Sequence, residues 1–252
     1  MYSVHVVEKK YFEIEVIMSH RFVVPCLFGL EGLAADELRR MDMKDVAAEN
    51  GRVSFSGDEA CHVVGVTSSL RGEGKSTTSM NLAYTIAETG KRVLIIDADM
   101  RLPQVHEILG IKQSPGLSNV LVGESNGANI IQASGIHTGL HVITAGDISP
   151  NPTELLASRR LANMIEALKP RYDYIVVDLP PVDAVADALI VSALTSGMVI
   201  VVRQNYVDKS VLANTVRQLR YHKANILGFV ENYADEEKTY YKKYYKKDGY
   251  YR

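Results

Sequence analysis

Short runs of aliphatic and β-branched residues alternate with longer segments of helical periodicity from residue 61 to residue 234. This alternation predicts an α/β fold, in which a mostly parallel sheet carries helices on both faces. The predicted strands are Val63–Thr67, Arg92–Asp97, His141–Ala145, Tyr174–Asp178, Met198–Arg203 and Asn225–Val230. The predicted helices are Ser76–Thr89, Leu102–Leu109, Thr153–Leu168, Ala184–Leu194 and Asp208–Tyr221. Ligands of open parallel sheets bind beyond the carboxyl ends of the strands, so we expect the functional residues there.

Residues 1–57 do not follow this alternation and are predicted to form a small N-terminal α+β appendage. A strand is expected over Phe22–Leu27, a helix over Leu30–Met41, and a hairpin at Asn50-Gly51, a dipeptide that favours tight turns. Residues 22–57 resemble the opening segment of THUMP-containing RNA methyltransferases of bacteria. This segment carries no catalytic motif and no methyl-donor site follows it, so an RNA-modifying function is the weakest alternative.

The composition is that of an ordinary globular protein. The 252 residues are 46% hydrophobic and 23% charged, and the formal net charge is −2, so no nucleic-acid partner is expected. Cys26 and Cys61 lack the spacing of a metal or redox site and are interpreted as small buried hydrophobic residues. The longest apolar runs, such as Val199 to Val202, are too short to span a bilayer. We therefore expect a cytoplasmic location.

A phosphate-binding loop is predicted near the start of the main domain, residues 58–234. Ser69 to Ser76 reads Ser-Leu-Arg-Gly-Glu-Gly-Lys-Ser, follows a β-branched strand and opens a helix, which is the context a P-loop requires. Its glycines let backbone N–H groups approach phosphates at a helix N-terminus. Lys75 is expected to neutralise the β- and γ-phosphates, Ser76 to bind Mg²⁺, and Thr77 to lie near the α-phosphate. The alternative is a glycine-rich turn that contains Gly-Lys-Ser by chance, and the strand–loop–helix context argues against it.

Two further strands end in carboxylates. Asp178 closes the hydrophobic run Tyr-Ile-Val-Val, an arrangement typical of the Walker B metal ligand. Asp97 and Asp99 close another strand and lie on one face at spacing i, i+2. One of this pair could serve the metal while the other takes a proton from an incoming hydroxyl group. The alternative is that either one caps the helix that follows.

The motifs SSLRGEGKSTTSMNLA, VLIIDADMR, GLSNVLVGE, NPTELLAS and YDYIVVDLPP, followed by a tyrosine-rich terminus, resemble those of the bacterial tyrosine kinases of capsule and exopolysaccharide assembly, the BY-kinases. The resemblance covers about residues 58–252 and implies ATP and Mg²⁺ as cofactors. By motif position it implies that Lys75, Asp97, Asp99 and Asp178 are catalytic, with Asp99 as the candidate base. It implies metal ligation by Ser76, Asp97 and Asp178. The implied nucleotide-binding residues are Ser69, Arg71, Gly72, Glu73, Gly74, Lys75, Ser76, Thr77 and, for the adenine, Asn232.

The C-terminal tail, residues 235–252, is the predicted substrate. Seven of the fourteen tyrosines lie in the last twenty residues, among interleaved lysines that discourage burial. A phenol has a pKa near ~10 and needs a base to attack phosphorus at neutral pH. The predicted phosphoacceptors are Tyr240, Tyr241, Tyr244, Tyr245, Tyr250 and Tyr251. Transfer between subunits is expected, because a tail acting on its own active site must bend back. The alternatives are a flexible tail without this role or an aromatic stripe on a terminal helix.

The resemblance also implies partners. These are a transmembrane activator of the polysaccharide co-polymerase type, further copies of the chain in a homo-oligomer, and other proteins that are phosphorylated on tyrosine. Such an activator would place the kinase at the inner face of the plasma membrane and link it to polysaccharide synthesis and export. The family's Glu-x-x-Arg-x-x-Arg helix, used in ring assembly, has no match in residues 1–60. Arg71, Leu179 and Glu231 also depart from the family pattern, without removing a phosphate or metal ligand.

The main alternative is an ATPase switch of the ParA/MinD type, which hydrolyses ATP without a protein substrate. Such proteins resemble this chain over the same sheet. Their P-loop usually has a signature lysine at the position of Leu70, and they do not end in a tyrosine-rich tail. The sequence therefore favours the kinase.

Overall fold

The computed structural model describes residues 61–234 without interruption, and of the first sixty residues it describes 6–8, 10–12, 15–17, 21–25, 35, 44–49 and 52–56. The N-terminal strands are β1 (Val6–Glu8), β2 (Lys10–Phe12), β3 (Glu15–Ile17), β4 (Arg21–Pro25), β5 (Lys44–Glu49) and β6 (Arg52–Ser56). The others are β7 (His62–Ser68), β8 (Val93–Asp97), β9 (Ile131–Ala133), β10 (Leu140–Ile143), β11 (Tyr174–Asp178), β12 (Gly197–Arg203) and β13 (Ile226–Asn232). The helices are α1 (Lys75–Glu88), α2 (Val105–Leu109), α3 (Leu117–Val122), α4 (Pro152–Leu156), α5 (Arg159–Leu168), α6 (Asp187–Ser192) and α7 (Lys209–Tyr221).

The main sheet has the order β2-β1-β13-β12-β7-β11-β8-β10-β9. Its central strands, from β13 to β10, are all parallel. At the edges, β9 pairs antiparallel with β10, and β1 pairs antiparallel with both β13 and β2. The predicted parallel α/β fold is therefore confirmed, and the six predicted strands correspond to β7, β8, β10, β11, β12 and β13.

The core lies on both faces of the central strands because successive side chains of a strand point to opposite faces. On β8, Leu94 and Ile96 pack into one cluster while Val93 and Ile95 pack into the other. The second cluster is covered by α1, through Met80 and the alanines near it. Burying one such aliphatic side chain stabilises the fold by about 1.5–3 kcal/mol. This two-sided burial holds the carboxyl ends of the strands in fixed positions.

Several helices differ from their predicted extents. The segment predicted as one helix over Thr153–Leu168 is two helices, α4 and α5, because Ser158 adopts an extended conformation between them. The helix predicted from Leu102 begins only at Val105. The short helix α3 and the edge strand β9 were not predicted; each is too short for its periodicity to stand out.

Of the N-terminal strands, β1 and β2 extend the main sheet, whereas the other four form a separate sheet of order β3-β4-β6-β5. The hairpin predicted at Asn50-Gly51 is confirmed, since Glu49 of β5 pairs with Arg52 of β6. Ala35, in the middle of the predicted helix, is helical and buried. Cys26 and the tail, residues 235–252, lie outside the described residues. None of the described helices is long and apolar enough to cross a bilayer.

An ion pair at the amino edge of the sheet yields a test of pH dependence. Asp173 accepts hydrogen bonds from Arg92 through the backbone N–H (2.7 Å), Nε (3.3 Å) and Nη2 (2.9 Å), and these bonds lower the pKa of Asp173. A carboxylate whose pKa is lower in the folded state stabilises the fold above its unfolded pKa, near ~3.9. We expect Asp173→Asn to lower the free energy of unfolding by about 1 kcal/mol at pH 7. The difference from wild type should disappear as the pH falls through the lowered pKa.

Urea unfolding from pH 7 down to about pH 2, below the usual pKa of an aspartate, measures this difference. Asp183→Asn, at an exposed carboxylate that forms no hydrogen bond or ion pair with the described residues, is the matched control and should show little change. An effect of Asp173→Asn that stays constant over the whole pH range would contradict the prediction.

Candidate active site

The P-loop connects β7 to α1 and curves through two glycines in the left-handed region. Gly72 has φ 78° and Gly74 has φ 88°, conformations that cost other residues about 1 kcal/mol or more. A Cβ atom on Gly74 would also collide with the side-chain amide of Asn232. The loop thus needs glycine for both its backbone conformation and its close packing. It delivers the N-terminus of the fourteen-residue helix α1 to the carboxyl edge of the sheet, where the helix dipole favours a bound anion.

Lys75, the first residue of α1, lies among the predicted carboxylates. Its Nζ is 2.7 Å from Oδ2 of Asp99 and 3.4 Å from the Ser76 hydroxyl. Burial alone would lower the pKa of Lys75, but the nearby carboxylates of Asp178 and Asp99 outweigh it and raise the pKa. The ammonium group is therefore held in its charged form where a phosphate would meet it.

Asp178 has a free oxygen that suits a metal ion. It is fully buried at the end of β11, and its Oδ1 accepts a hydrogen bond of 2.9 Å from Ser79 Oγ. Within the described part of the chain its buried Oδ2 accepts no hydrogen bond of standard geometry. Burial raises the pKa of Asp178 against the opposing effects of Lys75 and the hydroxyls of Ser76 and Ser79. Burying a carboxylate oxygen that accepts no hydrogen bond costs free energy unless a cation or a hydrogen-bond donor binds to it.

The donor set here fits Mg²⁺, which prefers hard oxygen ligands and usually shares them between protein and phosphates. The candidate ligands are the Ser76 hydroxyl and the Asp178 carboxylate. In the described residues no three His, Cys, Asp or Glu side chains are arranged to hold a metal alone. Phosphate oxygens of a bound nucleotide would therefore supply part of the coordination shell.

Asp97 and Asp99, predicted as a functional pair, have different surroundings. Oδ2 of Asp97 accepts the backbone N–H groups of Gln104 (3.2 Å) and Val105 (3.1 Å), at the start of α2. Its Oδ1 accepts the backbone N–H of Asp99 at 3.2 Å. These are the contacts expected of a helix cap, the alternative weighed for this residue. Burial and the facing carboxylate of Asp178 raise the pKa of Asp97 well above its usual value.

Asp99 instead faces the P-loop. Its Oδ2 forms the ion pair with Lys75, and its Oδ1 accepts the backbone N–H of Leu102 at 3.1 Å. Of the two aspartates, Asp99 is thus the one whose side chain meets the phosphate-binding lysine. The assignment of Asp97 as a metal ligand stays a prediction.

The other predicted nucleotide-binding side chains fall into two groups. Ser69 is fully buried and its hydroxyl has no hydrogen-bond partner among the described residues, whereas Arg71 and Thr77 are exposed. The Glu73 carboxylate is buried and turns towards the protein, accepting the backbone N–H groups of Leu70 (2.6 Å) and Arg203 (3.0 Å). Glu73 therefore holds the loop in place, and only its backbone remains for a ligand.

The ends of β12 and β13 close the other side of the P-loop. The Asn232 amide donates to the Glu73 carbonyl at 3.1 Å, and Arg203 donates to the Gly72 carbonyl at 3.2 Å. The Arg203 guanidinium lies 4.8 Å from the ring centre of Tyr206 and 4.3 Å from that of Tyr233. Sequence reasoning left Arg203 outside the main site, and it missed Tyr206. Arg203 ends a parallel strand and Tyr206 follows it, and this position at the carboxyl edge is the signal that could have found them.

A second polar network flanks the carboxylates. Arg101 pairs with the buried Asp187 at 3.1 Å and donates to the Thr153 hydroxyl at 2.8 Å, while Thr153 donates to Asp187 at 2.6 Å. The network ties the segment after β8 to α4 and α6. It therefore holds the loop that carries Asp99 against the rest of the domain.

Comparison with known proteins identifies this arrangement. Residues 62–227 match a family model described as an AAA domain, and residues 21–63 match one described as the RlmL ferredoxin-like domain. The tyrosine-protein kinase YwqD of Bacillus subtilis is 35% identical over 201 residues, which cover 79% of this chain and 84% of that protein. The chain belongs to the bacterial tyrosine-protein kinases. The tyrosine-protein kinase CpsD of Streptococcus agalactiae is likewise 35% identical, over 76% of this chain and 83% of its own length.

Solved structures of this kinase family have the same fold. The chimeric protein CapA2B2 matches with a TM-score of 0.67 and 36% identity over 70% of this chain and 78% of that chain. The kinase domain of the Escherichia coli tyrosine kinase ETK matches with a TM-score of 0.67 and 31% identity, over 70% and 69%. MinD of Pyrococcus horikoshii, solved with Mg-ADP, reaches a TM-score of 0.57 at 23% identity over 67% and 69%, and shows only a shared fold. These relatives confirm the kinase prediction over the ParA/MinD alternative.

Proposed function

We propose that this tyrosine kinase transfers the γ-phosphoryl group of Mg-ATP to tyrosine hydroxyls of its own residues 235–252, with one subunit acting on the tail of another. The observation that carries the proposal is the geometry around Lys75, whose ammonium group joins the P-loop to Asp99 beside the orphaned oxygen of Asp178. A cation, a hydroxyl and a free carboxylate oxygen are what a triphosphate and its metal require.

Each residue then has a role in the transfer. Lys75 would move from Asp99 to the β- and γ-phosphate oxygens, leaving the Asp99 carboxylate free to accept the phenol proton. The phenol oxygen forms a bond to the γ-phosphorus while the β–γ bridging bond breaks and ADP leaves. A bound Mg²⁺ would supply positive charge to offset the negative charge that develops during the transfer. Ser76 and Asp178 would hold it, and Asn232 would position the adenine.

The proposal extends to partners. The family resemblance supports a transmembrane activator of the polysaccharide co-polymerase type, self-association, other protein substrates, and control of capsular or extracellular polysaccharide synthesis and export. A cytoplasmic location at the inner face of the plasma membrane, through that activator, follows from the same resemblance. These assignments rest on the relatives and on the kinase site, and a nucleic-acid partner is not part of them.

A mixing experiment tests self-phosphorylation. A chain with all six tail tyrosines changed to phenylalanine keeps its active site, and a Lys75→Met chain keeps its tail. Mg-ATP is added to the mixture, to each variant alone and to the wild-type chain; phosphotyrosine is located by mass spectrometry, and released phosphate is measured. We expect tail phosphotyrosine on the Lys75→Met chain in the mixture and none on either tail alone.

A wild-type tail that stays unmodified while phosphate is released steadily would overturn the proposal in favour of an ATPase switch. Modification of the wild-type tail without any transfer in the mixture would overturn transfer between subunits.

A further inference from the structure

The outer face of α7 carries a cationic stripe that the kinase site does not use. Lys209, Arg217 and Arg220 are exposed and lie on one side of the helix, at spacings of eight and three residues. Among the described residues none of the three forms an ion pair with a carboxylate. The one hydrogen bond that these side chains make within the described part of the chain joins Arg217 Nη2 to the Asn214 side chain at 2.9 Å.

The stripe borders an apolar groove of about 550 Å³. Leu212 and Val216 of α7 and Phe229 of β13 line it, and all three are partly exposed. We call these residues, together with the three cationic ones, the α7 groove. A surface with an aromatic and aliphatic floor and unpaired guanidinium groups at its rim suits a ligand that is both aromatic and anionic.

We propose that the α7 groove binds the phosphorylated form of the chain's own tail, residues 235–252. A phosphotyrosine offers an apolar ring for Leu212, Val216 and Phe229 and a phosphate for the arginines, which bind phosphate through two parallel hydrogen bonds. The occupant arises only if the tail is phosphorylated, so this inference rests on the proposed function.

Charge makes the binding conditional on phosphorylation. The tail has six basic and four acidic side chains, a net charge of +2, so the unmodified tail is repelled by the stripe. Each phosphate adds about −1.5 to −2. Two phosphates are therefore enough to make the net charge of the tail negative, and four make it strongly anionic.

The tail is long enough to reach the α7 groove and begins at the edge of the sheet where α7 begins. Asn232, which ends β13, pairs with Arg203 at the end of β12, six residues before α7 begins. The six residue steps from Ala234 to Tyr240 span up to about 20 Å, which is the length of α7 at about 1.5 Å per residue. The pairs Tyr240-Tyr241 and Tyr244-Tyr245 would be about 13 Å apart in an extended tail. Arg217 and Lys209 are separated by about 12 Å along the helix.

Peptide binding tests the groove independently of kinase activity. A fluorescent synthetic peptide of residues 235–252, with phosphotyrosine at 240, 241, 244 and 245, is titrated into the full-length chain after phosphatase treatment, with EDTA and without nucleotide. Anisotropy should show a Kd at least tenfold lower than that of the unphosphorylated peptide. Even with a Kd of about 100 μM, the tail of the intact chain would occupy the groove most of the time, because a tethered tail has an effective concentration in the millimolar range.

Matched variants locate the site. Arg217→Ala/Arg220→Ala should weaken phosphopeptide binding tenfold or more. Lys112→Ala/Arg159→Ala removes the same charge from other exposed positions and should change binding less than twofold, with circular dichroism confirming that both variants are folded. Equal affinity for the two peptides, or equal losses in the two double variants, would overturn the α7 groove as the site. Retained peptide binding with a tail that the enzyme never modifies would overturn the proposed function alone.

Discussion

Replacing Lys75 with methionine is expected to lower the rate of tail phosphorylation on the order of 10³-fold, the effect of removing one preorganised charge from a transition state. The ammonium group is the part of the site that joins the P-loop to Asp99, at 2.7 Å. Methionine has a similar length and keeps the packing but offers no charge to the phosphates. The measurement is the initial rate of phosphotyrosine formation with saturating Mg-ATP.

The same change is expected to destabilise the nucleotide-free protein. Lys75 is the cation that offsets the buried carboxylates of Asp178, Asp99 and Asp97, and removing one partner of a buried pair leaves uncompensated charge. We expect the free energy of unfolding to fall by about 3–5 kcal/mol at pH 7, measured in urea. Lys112→Met, at an exposed lysine, is the control and should change neither rate nor stability. A Lys75→Met enzyme within tenfold of the wild-type rate would contradict the role assigned to this lysine.

Alanine substitutions at Asp97 and Asp99 are expected to differ in their effects: the first should act mainly on stability and the second mainly on the rate of phosphorylation. Asp97→Ala removes the acceptor of three backbone N–H groups, those of Asp99, Gln104 and Val105. Val105 is fully buried, and a buried N–H without an acceptor costs about 1–3 kcal/mol. We expect Asp97→Ala to lower the free energy of unfolding by about 2–3 kcal/mol, partly offset because the carboxylate is itself costly to bury.

Asp99→Ala should instead act mainly on the rate. The Leu102 N–H that it accepts belongs to an exposed residue and can bind water, and the carboxylates of Asp178 and Asp97 remain to offset the charge of Lys75. The stability should therefore change by less than about 1 kcal/mol. Loss of a general base lowers kcat about 10²–10⁴-fold, while KM for ATP should stay near the wild-type value. Steady-state kinetics and urea unfolding of both variants separate these outcomes. A normal kcat in Asp99→Ala, with a large loss in Asp97→Ala at unchanged stability, would move the base to Asp97.

Hydrophobic periodicity and glycine spacing were enough to place the nucleotide-binding machinery. A buried strand, a turn that needs positive φ at Gly72 and Gly74, and a helix that opens on Lys75 are local features, encoded by neighbouring residues. The strand-end positions of Asp97 and Asp178 follow in the same way. In a parallel sheet strands end at a common edge, and the two aspartates are in fact direct partners on adjacent strands.

Local sequence did not reveal which partner each polar group chooses. The Glu73 carboxylate bonds to the N–H of Arg203, 130 residues away, and Arg101 meets Asp187 across 86 residues. Such pairs depend on strand order and on how loops pack at the sheet edge. The hydrophobic periodicity of the sequence predicts neither. For the same reason the capping contacts of Asp97 and the position of Arg203 between two tyrosines became evident only in the folded domain.

The sequence alone thus determined the class of fold, the P-loop and the set of acidic residues, because each depends on the conformational preferences of residues close together in the chain. The tertiary structure decided which contacts, and therefore which roles, each of those residues has. It directs Asp99 towards Lys75 and Asp97 towards the start of α2, leaves one oxygen of Asp178 free, and lines up three cations on α7. Desolvation and long-range packing determine these contacts, because a polar group can be buried at low cost only where a segment distant in the sequence supplies a hydrogen-bond or ion-pair partner.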